Sequence, residues 1–404
     1  MTFIDTVLRY TKDSESPRKY YYWAALSAIA AIVKSNVYLD KFYYKLYPNI
    51  YVLLVGRSGL RKGPPVHLAR SLVQTVNNTR VFAGRVSIQG VISELSKATT
   101  KKEGGPPMTD AAGFLVASEF ASFIIQDPAA LTILTDLYDG HYNPEWSYML
   151  RNSPVEKLKN PCLTFIGATN EAHLKDAIPD NAIGGGLIAR TFIIYAEKKS
   201  GINPLTQRPA DGIPLNSLSQ HLKDISRVKG EFKWTDSGRQ LYDAWYGKFQ
   251  EAENSGAIEN DTTGTMERLH DHILKTAMLI SLSRKTDLKL EYGDIEEAIR
   301  ACQDFVPGAK RIALGQVGKS ISAPGTAVIL RELITISAHE ISRTMVLQKH
   351  WAHFDSFELD RIAESLFAQK AIDIRLRRDE GGKQETWYIL NPKVLERYES
   401  KEKP

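Results

Sequence analysis

Residues Tyr51 to Pro65, YVLLVGRSGLRKGPP, hold the densest chemistry in this chain. An apolar run from Tyr51 to Val55 stops at Gly56, a turn containing Gly59 follows, and Lys62 leads into residues compatible with a helix. A strand, a glycine-containing turn and a helix start make a phosphate cradle. Glycines let backbone N–H groups point inward, and the helix N-terminus adds positive potential. A lysine at the seventh place, counted from Gly56, reaches the β- and γ-phosphates. Gly56, Ser58, Gly59, Arg61, Lys62 and Gly63 are therefore candidate nucleotide binders. Two of them depart from the usual pattern. Arg61 stands where a glycine is common, and Gly63 stands where a Ser or Thr would hold Mg²⁺. A strand-to-helix turn with an incidental lysine fits the same residues.

Three further segments carry polar residues at or near strand ends. GFLVASEFASFI (Gly113–Ile124) ends an apolar strand in Ser118-Glu119. In P-loop ATPases the strand beside the phosphate turn ends in an acidic pair, whose Asp steadies the Mg²⁺ shell and whose Glu activates the attacking water. Glu119 suits the second role. Ser118 replaces the Asp, so either the site is inactive or the Ser118 hydroxyl and waters complete a Mg²⁺ shell near Glu119. LTFIGATNEAHL (Leu163–Leu174) ends its strand in Thr169-Asn170. Asn170 suits water positioning and equally a helix cap. IGGGLIARTFIIY (Ile183–Tyr195) puts Arg190 at the head of a last strand, after Gly184-Gly185-Gly186. An arginine there can project into a neighbour's nucleotide, or pair with a carboxylate of its own chain.

Strands alternating with helices must position these residues, which predicts a largely parallel sheet covered on both faces. Strands are expected at Tyr51–Val55, Arg80–Ala83, Gly113–Ala117, Cys162–Ala168 and Thr191–Tyr195. Helices are expected from the phosphate turn to about Asn77, at Ser87–Ala98 and at Ala129–Tyr138, with a polar loop at Thr99–Thr109. Residues 1–48 read as an N-terminal helical extension with a short extended pair, and 49–199 as the α/β core. Residues 200–321 read as a Gly/Pro-punctuated linker and an all-helical lid, because their apolar positions recur at 3.6 spacing. In 322–404, three helices precede two strands at Ala371–Leu376 and Glu385–Leu390, which spells a winged helix.

Basic and aromatic residues suggest a DNA path. WSYMLRNSPVEKLKNP reads as a hairpin: either Arg151, Lys157 and Lys159 meet phosphates while Trp146 and Tyr148 stack on bases, or it is a surface hairpin with ordinary solvated lysines. Around the predicted wing stand Arg375, Arg377, Arg378 and Lys383, although acidic residues there are about as numerous, so a protein partner is equally open.

The 404 residues carry 43% hydrophobic and 25% charged side chains, ordinary for a globular protein of two or three domains. The net charge of +5 permits nucleic acid without demanding it. Cys162 and Cys302 are far apart and in apolar contexts, as expected of free thiols in a reducing compartment. No Cys/His spacing suggests zinc, the apolar run Ala24–Val33 is too short to span a bilayer, and no signal-peptide pattern opens the chain. A cytoplasmic protein without membrane contact is expected.

The order of phosphate turn, SEF, GATN, GGGLIAR, helical lid and winged helix resembles the AAA+ ATPases. It is most similar to the helicase-like proteins of phages and mobile elements, which share a layout with minichromosome maintenance helicases. The resemblance runs from about Tyr20 to Leu390. It implies ATP and Mg²⁺ as cofactors and a hexameric or heptameric ring. It also implies DNA in a central pore, single-stranded by expectation, and contact with replication proteins. By the same resemblance Lys62 is the phosphate lysine, Glu119 the catalytic glutamate, Asn170 the sensor and Arg190 the finger acting in trans. Arg268, in TMERLHDHILKTA, is the nearest match to the lid arginine that senses the γ-phosphate. The resemblance implies an ATP-driven DNA translocase or helicase; the departures at Gly63 and Ser118 suit instead a non-hydrolysing initiator or loader.

Overall fold

Five stretches set the architecture: Tyr51–Val55, Ala112–Ala117 and Cys162–Thr169 are buried along their length and need cover on both faces, Thr191–Tyr195 nearly so, and Arg80–Ala83 is half-buried. The computed structural model describes all residues except 77, 100–109, 141–144, 150–154, 179–185, 205–214, 256–262, 304–328, 331, 337, 351–355, 369, 379–383 and 396–404. The chain divides into two compact units, Met1–Val317 and Gly318–Pro404.

The first unit opens with α1 (Phe3–Tyr10) and α2 (Arg18–Val33), then the antiparallel pair β1 (Val37–Asp40) and β2 (Lys45–Leu46). There follow β3 (Tyr51–Val55), α3 (Gly63–Val76), β4 (Arg80–Ala83), α4 (Ile88–Thr99) and β5 (Ala112–Ala117). Next come α5 (Phe120–Gln126), α6 (Ala130–Tyr138) and the antiparallel hairpin of β6 (Glu145–Tyr148) and β7 (Glu156–Lys159). The core ends with β8 (Cys162–Thr169), α7 (Glu171–Ala177) and β9 (Thr191–Tyr195).

The sheet is fully parallel and its order is β4-β5-β8-β3-β9. Alternate residues of β3 serve different faces: Val52 and Leu54 join one core, Tyr51, Leu53 and Val55 the other. The first core collects α1, α2, α3 and the later helices Leu215–Ile225 and Leu269–Arg284. The second collects α4, α5, α6 and α7. Residues 1–48 pack into the first core as part of the same unit. Helix α2 is buried nearly all round, and its Trp23 ring lies 4.7 Å from that of Phe192 on β9. Its apolarity is that of a central core helix. Among the described residues no single helix is long and apolar enough to cross a membrane.

Three secondary-structure expectations need correction. Helix α5 was hidden because its seven residues, only two beyond the strand, are too few to show a helical period. The all-helical reading of the lid misses β10 (Gly230–Glu231), β11 (Lys233–Trp234) and β12 (Lys289–Leu290) beside helices Asp236–Asn254 and Tyr292–Gln303. Two-residue strands leave no periodicity to read. In the second unit, β13 (Glu340–Ser342) joins β14 (Ile372–Arg378) and β15 (Gln384–Leu390) in an antiparallel sheet ordered β13-β15-β14. Helices Arg343–Lys349 and Ser356–Ala368 accompany this sheet. The loop 100–109, most of the linker 200–214 and the boundary 322–325 lie outside the described residues.

Candidate nucleotide-binding site

Gly56 closes β3 where no other residue fits. A Cβ there would lie 2.6 Å from the Ala196 carbonyl oxygen, 2.6 Å from Leu60 Cδ2 and 2.9 Å from the Tyr20 hydroxyl. Gly59 has φ +81°, a conformation open to glycine at little cost. Arg61 has φ +57°, which explains why glycine is the common residue at this place; an L-residue there costs roughly 1–2 kcal/mol. Among the described residues, only Leu60 of the turn 57–62 donates its N–H to a backbone carbonyl, that of Arg57 at 3.4 Å. The other turn N–H groups and the start of α3 at Gly63 leave a donor-rich rim around Ser58 and Gly59, both exposed.

The Lys62 ammonium folds over this turn, donating to the carbonyls of Gly56 at 2.7 Å and Arg57 at 2.9 Å. Burial lowers its pKa, while the carboxylates of Glu119 and Glu171 act to raise it. Both acids are therefore its electrostatic neighbours. Sheet register explains the meeting: Val55 pairs with Thr169, and Ala117 pairs with Gly167. The turn after β3, Asn170 after β8 and Glu119 after β5 share one edge of the sheet. One expectation is corrected here. The strand beside β3 is β8, and the Ser118-Glu119 strand lies one place further out.

Glu119 is exposed, and among the described residues its carboxylate has no ion-pair or hydrogen-bond partner. It opens onto a pocket of about 330 Å³ on the β4 side, lined also by Arg85, Ser118, Ser122 and Gln126; Lys62 is not part of that lining. Asn170 caps α7, its Oδ1 accepting the His173 N–H at 2.8 Å. Such a cap contributes about 1 kcal/mol, and it holds the amide at the strand end. Among the described residues no three His, Cys, Asp or Glu side chains gather as a metal group. Ser118 and Glu119 do supply two exposed oxygen donors, which suits Mg²⁺, a cation that takes one or two carboxylates and completes its shell with phosphates and water.

Arg190 and Arg268 sit elsewhere. Thr191 pairs with Tyr51, whereas Tyr195 pairs with Val55, so Arg190 lies at the opposite end of β3, roughly 15 Å along the strands from the turn. Its Nε donates to Asp139 at 2.8 Å, its Nη2 makes a close contact with the same carboxylate, and its Nη1 donates to the Gly186 carbonyl at 2.9 Å. Arg268 stands 3.7 Å from that carboxylate. Arg268 thus belongs to the far end of the sheet and is not gathered with the Gly56–Lys62 turn of its own chain. Gly184 and Gly185 lie outside the described residues. Nearby, Lys275 is fully buried, donates to Asn49 Oδ1 at 2.8 Å and is lowered by burial to about 8. Cys162 and Cys302 are free and buried, and burial raises both thiols to about 12, which makes them inert packing groups.

The candidate DNA contacts divide. Lys157 is exposed and Lys159 half-buried on the hairpin, while Arg151 lies outside the described residues. Trp146 is buried in the core, stacked on Tyr148 at 5.9 Å, so it is not a free platform for bases. In the second unit Arg377 is committed to Glu340 through bonds of 2.7 and 2.8 Å and lies over Trp387, whereas Arg375 and Arg378 are exposed. Lys383 lies outside the described residues. Arg61, expected as a nucleotide ligand, directs its Nε to Glu15 at 3.0 Å instead.

No family model matches this chain, and no curated protein matches it in sequence. Three residues that sequence reasoning passed over belong to these clusters: Glu171, Asp139 and Glu15. Glu171 was legible, since it follows Asn170 at a strand end. The other two reach their partners across 51 and 46 residues, which no local pattern encodes.

Proposed function

We propose that the Met1–Val317 unit is a P-loop ATPase of the AAA+ kind, binding ATP at Gly56–Lys62 and activating water with Glu119. The observation that carries this reading is the shared sheet edge: a glycine turn with its lysine, the Asn170 cap and the exposed Glu119 lie at three strand ends that the sheet order brings together. Mg²⁺ bound beside Ser118 and Glu119 would neutralise phosphate charge. Lys62 would exchange its two carbonyl partners for phosphate oxygens. Asn170 would orient the water that Glu119 deprotonates.

The unit would act within a ring as a DNA translocase or helicase. Arg190 supports a trans arrangement, because it lies too far from its own turn to serve it. To act as a finger it must exchange Asp139 for a neighbour's phosphate. The second unit would be the winged helix, touching DNA through Arg375 and Arg378. The non-hydrolysing initiator or loader is favoured by one observation, the absence of Ser/Thr and Asp at Gly63 and Ser118.

Steady-state ATPase assays with and without single-stranded DNA, on wild type and Glu119→Gln, separate the two. The motor requires DNA-stimulated turnover that falls by roughly two or more powers of ten in the variant, typical of a lost general base, with ATP affinity retained. A wild type that binds ATP but shows no turnover with Mg²⁺ or Mn²⁺ makes the chain a switch.

A further inference from the structure

The phosphate turn is gripped by the segment that leads from α1 into α2. The Ser16 hydroxyl donates to the Arg61 carbonyl at 2.6 Å, and Glu15 accepts the Arg61 Nε at 3.0 Å. Glu15 is itself held from behind: Lys199 Nζ lies 2.8 Å from it, the Asn203 N–H 3.3 Å, and its own carbonyl accepts the Ser200 N–H at 3.1 Å. Two residues beyond Ser16, the Arg18 N–H donates to the Ser200 hydroxyl at 2.8 Å. At the start of α2, the Tyr20 hydroxyl donates to the Val55 carbonyl at 2.7 Å, in the space that Gly56 leaves open. Both sides of the one strained residue of the turn, its carbonyl and its guanidinium, are thus tied to consecutive residues of the N-terminal segment.

We propose that Glu15 and Ser16 are positioning residues for the phosphate turn, clamping Arg61 in the left-handed conformation that a glycine would adopt unaided. The inference rests on the reading of Gly56–Lys62 as a nucleotide site. It explains why this turn tolerates an arginine: the side chain that creates the strain also supplies the handle by which the strain is held. It also joins the turn to residues 199–203, which leave β9 for the lid, so the turn's shape and the start of the lid linker share one carboxylate. Glu15 stays ionised for the same reason: hydrogen bonds from Lys199, then Arg61 and the Asn203 N–H, hold its carboxyl down to about 2.

A double-mutant cycle on the full chain tests this, with two readouts. Isothermal titration of ATP should show Glu15→Gln about fivefold weaker than wild type, a coupling ordinary for contacting residues. In an Arg61→Gly background, where no clamp is needed, the same substitution should change affinity less than about twofold. Independently of nucleotide, trypsin should cut after Arg57 faster in ligand-free Glu15→Gln than in wild type, at equal thermal stability, and Arg61→Gly should abolish that difference. Equal losses in both backgrounds, or unchanged cleavage in Glu15→Gln, would overturn the clamp. If wild type binds no ATP, the nucleotide reading fails, and the cleavage comparison still decides the clamp.

Discussion

The candidate site residues at the two ends of the parallel sheet meet charge in different ways, although the turn end also holds the Glu15–Arg61–Lys199 cluster. At the end that carries the Gly56–Lys62 turn, Glu119 is exposed without an ion pair among the described residues, and Lys62 rests on backbone carbonyls. At the other end, Arg190 and Arg268 share Asp139, Lys41 is 2.8 Å from Asp271, and Lys275 is bonded to Asn49. Every one of those charges is settled inside the chain. The contrast separates a carboxylate left exposed and a lysine resting on backbone from charged side chains held within the fold, and it does so without regard to residue type, since arginines, lysines and acids occur at both ends. It also changes what Arg190 means: its first function is to fix the loop before β9 to the end of α6.

Stability should respond at one end only. Asp139→Ala strips two arginines of their carboxylate in a largely buried site, and the expected loss is about 2 kcal/mol in urea unfolding, the size of a hydrogen bond to a charged group. Glu119→Ala should stay within about 0.5 kcal/mol of wild type, as an exposed substitution does. Similar losses for both would erase the distinction.

Acid should sharpen it. His272 is buried against Phe192, with Nε2 bonded to the Ala189 carbonyl at 2.8 Å, and burial pushes its pKa down to about 3. Its folded value lies below the unfolded one of about 6.5, so the unfolded chain takes up a proton that the folded chain refuses. Stability is full above about pH 6.5 and drains as pH falls toward 3, by up to about 1.4 kcal/mol per pH unit. A His272→Phe variant should show a flatter profile across that window in thermal melts; an unchanged profile would mean that His272 is reachable by protons in the folded state.

The smallest effect concerns the hairpin. Neutralising Lys157 and Lys159 together should weaken single-stranded DNA binding. The slope of log K against log salt should fall by about 1.4, because two phosphates would keep their counterions. An unchanged slope in fluorescence anisotropy would move the DNA path to another surface, with Arg375 and Arg378 the next candidates.

Much of the near end was legible in sequence. Gly56, Lys62, Glu119 and Asn170 each end or follow an apolar run, and a parallel sheet necessarily gathers such ends. Strand order was not legible: nothing local says that β8 lies between β3 and β5, so the acidic strand was placed one position too close. The far end was left open for the same reason. Arg190 and Arg268 carried ligand-binding signatures, yet their partner Asp139 closes a helix and falls in no motif. Trp146 and Arg377 looked available because burial and pairing are tertiary facts.

The central claim is that the Gly56–Lys62 turn holds the phosphates of a nucleotide, and calorimetric titration of ATP into wild type and Lys62→Ala tests it most directly. Wild type should bind ATP, and the variant should bind it at least about tenfold more weakly, the equivalent of one charge-assisted bond. Its thermal unfolding should be unchanged, since among the described residues Lys62 bonds only to the carbonyls of its own turn. Equal affinity in the two proteins, or no binding by wild type, would contradict the account.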